Sequence, residues 1–221
     1  MHGGVKKADL GVENLEALNQ GFANLQKQVE NMRKFGLPVL VAINKFANDT
    51  QAEIDLLTAK CQEFCIEVSL NECFTKGGEG GIEMAKKLVK ILDNEKSEFK
   101  PLYDIEDTIE NKLNKIVREI YGADKVVIED NAKKQIKTLE EFNLDKLPIC
   151  MAKTQFSFTD NPNIMGAPSG FVITIKDVRV SAGAGFIVCQ TSNIMVMPGL
   201  PKVPSANNMD IDENGVITGL F

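Results

Sequence analysis

The chain has 221 residues, of which 43% are hydrophobic and 25% are charged, and its net charge is −6. This length can bury a substantial core in one large or two small domains, and the acidic balance disfavours nonspecific nucleic-acid binding, which needs a basic surface. No apolar stretch reaches the ~20 residues of a membrane-spanning helix, and residues 1–7 lack the apolar segment of a signal peptide.

Alternating helices and strands are predicted over the first half of the chain. Apolar residues between positions 9 and 35 recur at three- and four-residue spacing, which is typical of an amphipathic helix. A continuous apolar run at 38–43 predicts a strand buried on both faces of a parallel sheet. Thr50 and Glu53 form a capping box, which predicts a helix start. The elements that follow are a strand over 65–70, a glycine loop over 77–81 and a helix over 81–95. This order predicts an α/β fold that begins with a partial, doubly wound parallel sheet.

The second half of the chain begins after a polar stretch at 94–103, which contains Pro101 and is interpreted as a linker or a long loop. Beyond it we predict, in chain order, a helix over 105–121, a strand over 125–128, a helix over 132–142, and strands over 171–175 and 185–189. We therefore expect a C-terminal α/β part with a mixed sheet.

Histidine and cysteine usage limits the chemistry that this chain can perform. His2 is the sole histidine, so the body of the chain offers no imidazole for Ser-His-Asp or Cys-His catalysis. The five cysteines form an odd number without a C-x-x-C pair, and Cys61, Cys65 and Cys73 match no common zinc spacing. We expect reduced, mostly buried thiols, no metal site and a cytoplasmic location.

A polar and aromatic loop follows the first predicted strand. Its sequence Asn-Lys-Phe-Ala at 44–47 is similar to the N-K-x-D motif that reads guanine, but Ala47 replaces the aspartate. The chain also lacks the phosphate-binding pattern G-x-x-x-x-G-K-[ST], so a GTPase is disfavoured. The loop lies where ligands of open α/β sheets gather. An ordinary loop and a ligand site both remain open.

A glycine-rich loop precedes the predicted helix at 81–95. Convergent N–H groups and a helix N-terminus favour anions. The loop is therefore either an anion or ligand site or a flexible turn. Its candidate residues are Gly77, Gly78, Glu79 and Gly80.

Two phenylalanines, Phe46 and Phe74, each follow a predicted strand of the same layer. If those strands are neighbours, the two rings face each other across a gap that suits a flat heterocycle. Each ring face would contribute about 0.5–1.5 kcal/mol beyond the burial of area. The alternative is a pair of buried core phenylalanines.

Several runs together resemble formate–tetrahydrofolate ligase (10-formyltetrahydrofolate synthetase), and specifically its C-terminal part. The similarity covers essentially the whole chain and is most specific at 1–5, 38–44, 76–81, 150–155, 181–186 and 197–202. It implies that residues 1–45 are the C-terminal tail of a nucleotide-binding, P-loop-type domain. Residues 46–221 would then form the C-terminal domain, which contributes the folate site.

The resemblance also implies a reaction. The family forms formyl phosphate from formate and ATP, and the N10 amine of tetrahydrofolate then attacks it to give 10-formyltetrahydrofolate. The implied ligands are ATP with Mg²⁺, tetrahydrofolate, formate and a monovalent cation, and the full enzyme would be a tetramer. Because the phosphate loop is absent, we expect the catalytic residues in a missing N-terminal part and no activity from this chain alone. The alternative is a non-catalytic fragment or interaction module without independent activity.

Folate contacts follow from the same resemblance. It places Phe46 and Phe74 on the two faces of the pterin ring, with Leu70 lining the slot. The family commonly has tryptophan at the position of Phe74, and this chain has no tryptophan. We therefore expect weaker stacking, and Ala47 also replaces a frequent proline beside Phe46.

Overall fold

The computed structural model describes residues 1–191, 194 and 201–219. Its helices are α1 (Leu15–Arg33), α2 (Gln51–Glu63), α3 (Cys73–Lys76), α4 (Ile82–Asn94), α5 (Ile109–Ile116) and α6 (Asp130–Glu141). Its strands are β1 (Leu40–Asn44), β2 (Glu67–Asn71), β3 (Lys125–Ile128), β4 (Ile149–Ala152), β5 (Val172–Ile175), β6 (Asp177–Ser181), β7 (Phe186–Gln190), β8 (Asp210–Ile211) and β9 (Ile217–Thr218). Short 3-10 turns lie at Lys7–Asp9, Gly77–Gly81 and Ser205–Asn208, and a π-helical turn lies at Val117–Tyr121. Of the run at 197–202, residues 197–200 lie outside the described residues.

The first layer is a parallel pair of strands with helices packed on it. β1 and β2 pair in parallel from Leu40 opposite Glu67 to Asn44 opposite Asn71, and α2 makes the crossover between them. Residues of α1, α2 and β2, and one residue just before β2, share one buried cluster: Phe22, Val29, Cys61, Ile66 and Val68. Helix α4 packs against β2. The α/β class and the parallel pairing that the sequence predicts are confirmed.

Burial of β1 differs from the prediction. The strand was expected to be buried on both faces, but Ala42 and Asn44 are exposed while Val41 and Ile43 pack against the cluster of the first layer. On β2, the adjacent residues Val68 and Ser69 are both buried, and adjacent residues point to opposite faces. Strand β2 is buried on both faces because α4 packs on it, whereas Ala42 and Asn44 of β1 stay exposed.

Helix caps explain where the first two helices begin. The side chain of Thr50 accepts a hydrogen bond from the Glu53 N–H at 3.3 Å, and Glu53 accepts one from the Thr50 N–H at 3.4 Å, so the predicted capping box is confirmed. Helix α1 begins at Leu15 and not at residue 9, because Asn14 caps it by accepting from the Ala17 N–H at 2.9 Å.

The second core lies between residues 109 and 189. Strand β7 pairs in parallel with β4 and antiparallel with β6, so this sheet is mixed, and β3 pairs separately with β5 in parallel. Fully buried side chains from α5 and the strands fill the core: Ile109, Leu113, Ile173, Ile175, Ile187 and Cys189. Burial raises the pKa of the Cys189 thiol to about 12, so this cysteine stays uncharged at neutral pH. The expectation of mostly buried thiols is wrong, since Cys65, Cys73 and Cys150 are exposed.

Two of the strands in the mixed sheet, β4 and β6, lie outside the strands that the sequence predicts. β4 has four residues and pairs from Ile149 opposite Ile187, far along the chain. The predicted helix over 105–121 also divides, into α5 and the π-helical turn, and Gly122 ends it with a φ of 81°. These features depend on contacts with distant residues, which local periodicity does not report.

Side-chain hydrogen bonds join the first layer to the second core. On α1, Asn24 donates to the Gly166 carbonyl and Asn31 donates to the Ile120 carbonyl, each at 2.8 Å. His2 accepts from the Gly166 N–H through Nδ1 at 3.1 Å, and burial lowers the pKa of its imidazole. The neutral ring, which this bond requires, is therefore favoured.

The boundary at residues 45 and 46 stays a prediction. β1 lies on one side of it and its hydrogen-bonded partner β2 on the other. Within the described residues, no helix is both long enough and apolar enough to cross a membrane.

Candidate functional site

The candidate site lies where β1 and β2 end side by side. Asn44 and Asn71 are register partners, and Nδ2 of Asn71 donates to Oδ1 of Asn44 at 2.8 Å. The Lys45 N–H donates to the Asn71 carbonyl at 3.0 Å, which continues the pairing one residue further. Because the strands are parallel, the segments that follow them leave from the same edge of the sheet. Ligands of open α/β sheets bind at such edges.

The segments after the two strands carry the two predicted aromatic residues. Phe46 lies in a turn, where its N–H donates to Oδ2 of Asp49 at 2.7 Å and its carbonyl accepts from the Asp49 N–H at 3.1 Å. Phe74 lies on the short helix α3. Phe46 is 57% exposed and Phe74 is 82% exposed. They are therefore not the core pair that the sequence left open as the alternative.

The two rings contact each other directly. Their centroids are 6.0 Å apart and their planes are inclined by 50°, within the usual range for an aromatic pair. A flat ring stacked between them needs about 3.5–4 Å on each side, or about 7–8 Å between the flanking planes. The pair must therefore open by about 1–2 Å and become parallel to admit a heterocycle.

Leu70 is part of β2 and lies beside this edge. It is half-buried and is the register partner of Ile43. The next residue of β2, Asn71, holds the strand ends together through its side chain. The structure thus places Phe46 and Phe74 in ring contact, with Leu70 four residues before Phe74 along the chain.

The glycine-rich loop folds as a 3-10 turn over Gly77–Gly81, directly before α4. Two N–H groups at its ends are already bonded within the chain, since Gly77 donates to the Cys73 carbonyl and Ile82 donates to the Glu79 carbonyl. Glu79 in the loop and Glu83 in the first turn of α4 also carry negative charge, which opposes an anion. An anion site in this loop stays a prediction.

An ion-pair network that the sequence interpretation missed lies beside the rings. Its members are Lys45, Glu72 and Lys76, called the Glu72 network below. Oε2 of Glu72 is 2.7 Å from Nζ of Lys76, and Oε1 is 3.6 Å from Nζ of Lys45. The hydrogen bond from Lys76 is the main cause that lowers the pKa of Glu72. The four-residue spacing of Glu72 and Lys76 was the available signal.

Lys153, in the run at 150–155, serves a different region of the molecule. Its Nζ donates to the carbonyls of Thr154 and Ser157 and lies 5.0 Å from the ring centroid of Tyr121. Burial lowers the pKa of Lys153. These contacts hold the loop that follows β4, in the second core.

The family model for formate–tetrahydrofolate ligase matches residues 1–221, the whole chain. The chain belongs to the formate–tetrahydrofolate ligase family. This confirms the resemblance that the sequence runs suggest. The family is a ligase family of one-carbon metabolism, and it implies formate, tetrahydrofolate and ATP as substrates.

A large cavity, called the Phe35 cavity below, lies away from the strand ends. It has a volume of about 1000 Å³ and its walls include the stacked pair Phe35 and Phe99 together with Tyr103 and Tyr121. A smaller cavity of about 430 Å³ reaches Asn44 and Phe46. We place the candidate site at the strand ends and not in the Phe35 cavity, because both exposed rings and the Glu72 network meet at the strand ends.

A metal site needs several donor side chains that converge on one point. Over residues 1–191, 194 and 201–219, no group of three or more His, Cys, Asp or Glu side chains is arranged to hold a metal ion. We therefore assign no step to Mg²⁺ or to a monovalent cation on these residues.

Proposed function

We propose that this chain supplies the tetrahydrofolate-binding face of a formate–tetrahydrofolate ligase. The observation that carries the proposal is the exposed pair Phe46 and Phe74, in contact at the carboxyl ends of adjacent parallel strands. Exposed aromatic pairs are costly to leave in water and suit a flat, apolar-faced ligand. The pterin ring of tetrahydrofolate is such a ligand, and Leu70 would line the same slot.

The slot between the two rings would act by positioning tetrahydrofolate for the reaction. In the proposed reaction, the N10 amine attacks the carbonyl carbon of formyl phosphate and a C–N bond forms. The C–O bond to phosphate breaks, and phosphate leaves together with the proton that N10 loses. Stacking between Phe46 and Phe74 would restrict the pterin to one plane and so fix the direction from which N10 approaches. The acyl phosphate would be made from ATP and formate by residues outside this chain, since the chain has no phosphate-loop motif.

The same proposal covers the complete enzyme. By resemblance, it would act in the cytoplasm as a tetramer, use Mg²⁺ with ATP, and bind a monovalent cation. The nucleotide and cation sites would lie in a preceding N-terminal part. The loop from Gly77 to Gly80 would close one side of the folate slot, whether or not it also meets an anionic group.

Titration of tetrahydrofolate into the purified chain by calorimetry tests the folate site. We expect heat of binding from the wild-type chain and its loss in Phe46→Ala, because this change removes one stacking face. Phe142→Ala is the matched control, since Phe142 is also an exposed phenylalanine, at 70%, and lies after α6. Equal heats for the wild type and Phe46→Ala would place binding elsewhere. No heat from any of them would favour a module without independent activity.

Turnover by the isolated chain is a separate expectation. We expect no 10-formyltetrahydrofolate when ATP, formate and tetrahydrofolate are supplied together, because the residues that make formyl phosphate are proposed to lie in another segment. The product is measured after acid conversion to 5,10-methenyltetrahydrofolate, which is followed by its absorbance. Robust product formation that depends on both ATP and formate would contradict the expectation.

A further inference from the structure

Glu72 lies between the two segments that carry the candidate slot. It follows β2 directly and precedes α3, on which Phe74 lies two residues further on. Its side chain reaches back to Lys45, which immediately precedes Phe46, at 3.6 Å. The same carboxylate contacts Lys76, two residues after Phe74, at 2.7 Å. The carboxylate of Glu72 therefore contacts one lysine side chain from the segment of Phe46 and one from the segment of Phe74.

The backbone of Glu72 forms hydrogen bonds with the glycine loop and with α3. Its N–H donates to the Gly80 carbonyl at 3.1 Å, and its carbonyl accepts from the N–H groups of Thr75 and Lys76 at 3.1 and 2.9 Å. A Cβ added at Gly80 would lie 2.4 Å from the carbonyl carbon of Glu72, so this approach requires glycine. The position of Glu72 thus sets the position of α3 and of the loop that follows.

The charges of the network differ from those of an ordinary surface pair. Two lysines share one carboxylate, and the Glu72 side chain is only 22% exposed. The pKa of Glu72 is lowered, chiefly by the hydrogen bond from Lys76, so Glu72 is ionised at neutral pH. Without this charge, the lysines beside the two rings would repel each other, and nothing in the network would draw the Phe46 turn toward α3.

We propose that Glu72 is a positioning residue for the aromatic slot, and that its carboxylate sets the separation of Phe46 and Phe74. The role rests on the proposed function, since it concerns the slot assigned to tetrahydrofolate. The network preorganises the two ring-bearing segments, so that only a small opening of the rings is needed when the ligand enters. Binding then loses less conformational freedom than it would with independent segments.

A double-mutant cycle on tetrahydrofolate binding, measured by calorimetry on the full chain, tests this role. We expect Glu72→Gln to raise the dissociation constant about three- to tenfold, as befits two partly exposed ion pairs. Lys76→Met should raise it by less, and the double variant should equal Glu72→Gln, because both changes remove the same contact. Glu72→Asp keeps the charge and should bind tetrahydrofolate with most of the wild-type affinity. If Glu72 acted only through packing, the shorter aspartate would bind no better than Glu72→Gln.

The control for this cycle is Asp107→Asn. Asp107 is paired with Lys115 at 2.6 Å and its side chain is 20% exposed, which matches Glu72, but it lies just before α5. We expect the dissociation constant of Asp107→Asn to equal that of the wild type. Circular dichroism reports whether each variant folds. If Glu72→Gln does not fold, Lys45→Met takes its place, because it removes the ion pair between Lys45 and Glu72 and leaves Glu72 intact.

The outcomes separate the two proposals. Heat that is lost in Phe46→Ala but unchanged in Glu72→Gln overturns the role of Glu72 and leaves the folate site standing. Additive losses in the cycle also overturn that role, since Lys76 would then contact the ligand itself. No heat from the wild-type chain overturns the folate site and the role of Glu72 together.

Discussion

Replacing Leu113 by alanine is expected to lower the free energy of unfolding by about 3–5 kcal/mol. Leu113 lies on α5, is completely buried, and packs in the second core with Ile109 and Ile173. Removing its side chain takes away apolar contacts and leaves a cavity that the neighbouring strands can fill only in part. Urea unfolding followed by circular dichroism measures the change as a shift in midpoint at constant slope.

The control for Leu113 is Leu92→Ala. Leu92 lies on α4 and is 67% exposed, and alanine favours a helix as well as leucine does. We expect this change to alter the free energy of unfolding by less than about 0.5 kcal/mol. A loss below about 1 kcal/mol for Leu113→Ala would show that the second core is looser than the packing indicates.

The second large effect is expected at Phe74. Phe74→Ala should raise the dissociation constant for tetrahydrofolate at least about tenfold, because it removes one stacking face and the apolar area that the ligand would cover. Phe74→Trp should lower the constant about two- to fivefold, since indole offers a larger face. Phe74 is 82% exposed, so both variants are expected to fold as the wild type does. Calorimetric titration of the three proteins measures this series.

Phe99→Ala is the control for the Phe74 series. Phe99 is 61% exposed and stacks on Phe35 in the wall of the Phe35 cavity, with ring centroids 6.4 Å apart. We expect its dissociation constant to match that of the wild type. The reverse result, with binding lost in Phe99→Ala and kept in Phe74→Ala, would move the folate site to the Phe35 cavity.

Local signals and the order of the predicted elements indicated much of the fold. The capping box of Thr50 and Glu53 spans three residues, and both of its hydrogen bonds form. The apolar spacing over 9–35 predicted α1, although Asn14 moved its start to Leu15. The alternation of helices and strands predicted the parallel pair β1 and β2. The capping box and the helical spacing depend on local backbone geometry, which the sequence specifies directly. The parallel pairing follows from the order of helices and strands along the chain.

Other features depend on contacts between distant residues. β4 is only four residues long and is stabilised by β7, with Ile149 opposite Ile187. Ala42 is exposed while its register partner Ser69 is buried, and α4 packs on β2, which carries Ser69. A short strand or an exposed face carries little local signal, because its environment is set by which elements pack beside it.

The candidate site shows the same division. The sequence by itself determined membership of the formate–tetrahydrofolate ligase family, through runs spread along the whole chain, and it singled out Phe46 and Phe74. Only the tertiary structure decided that the centroids of these rings lie 6.0 Å apart and that Glu72 contacts the lysines beside both rings. The reason is physical: these contacts join the ends of two strands whose register is set by the sheet, and no local pattern encodes a distance across a sheet.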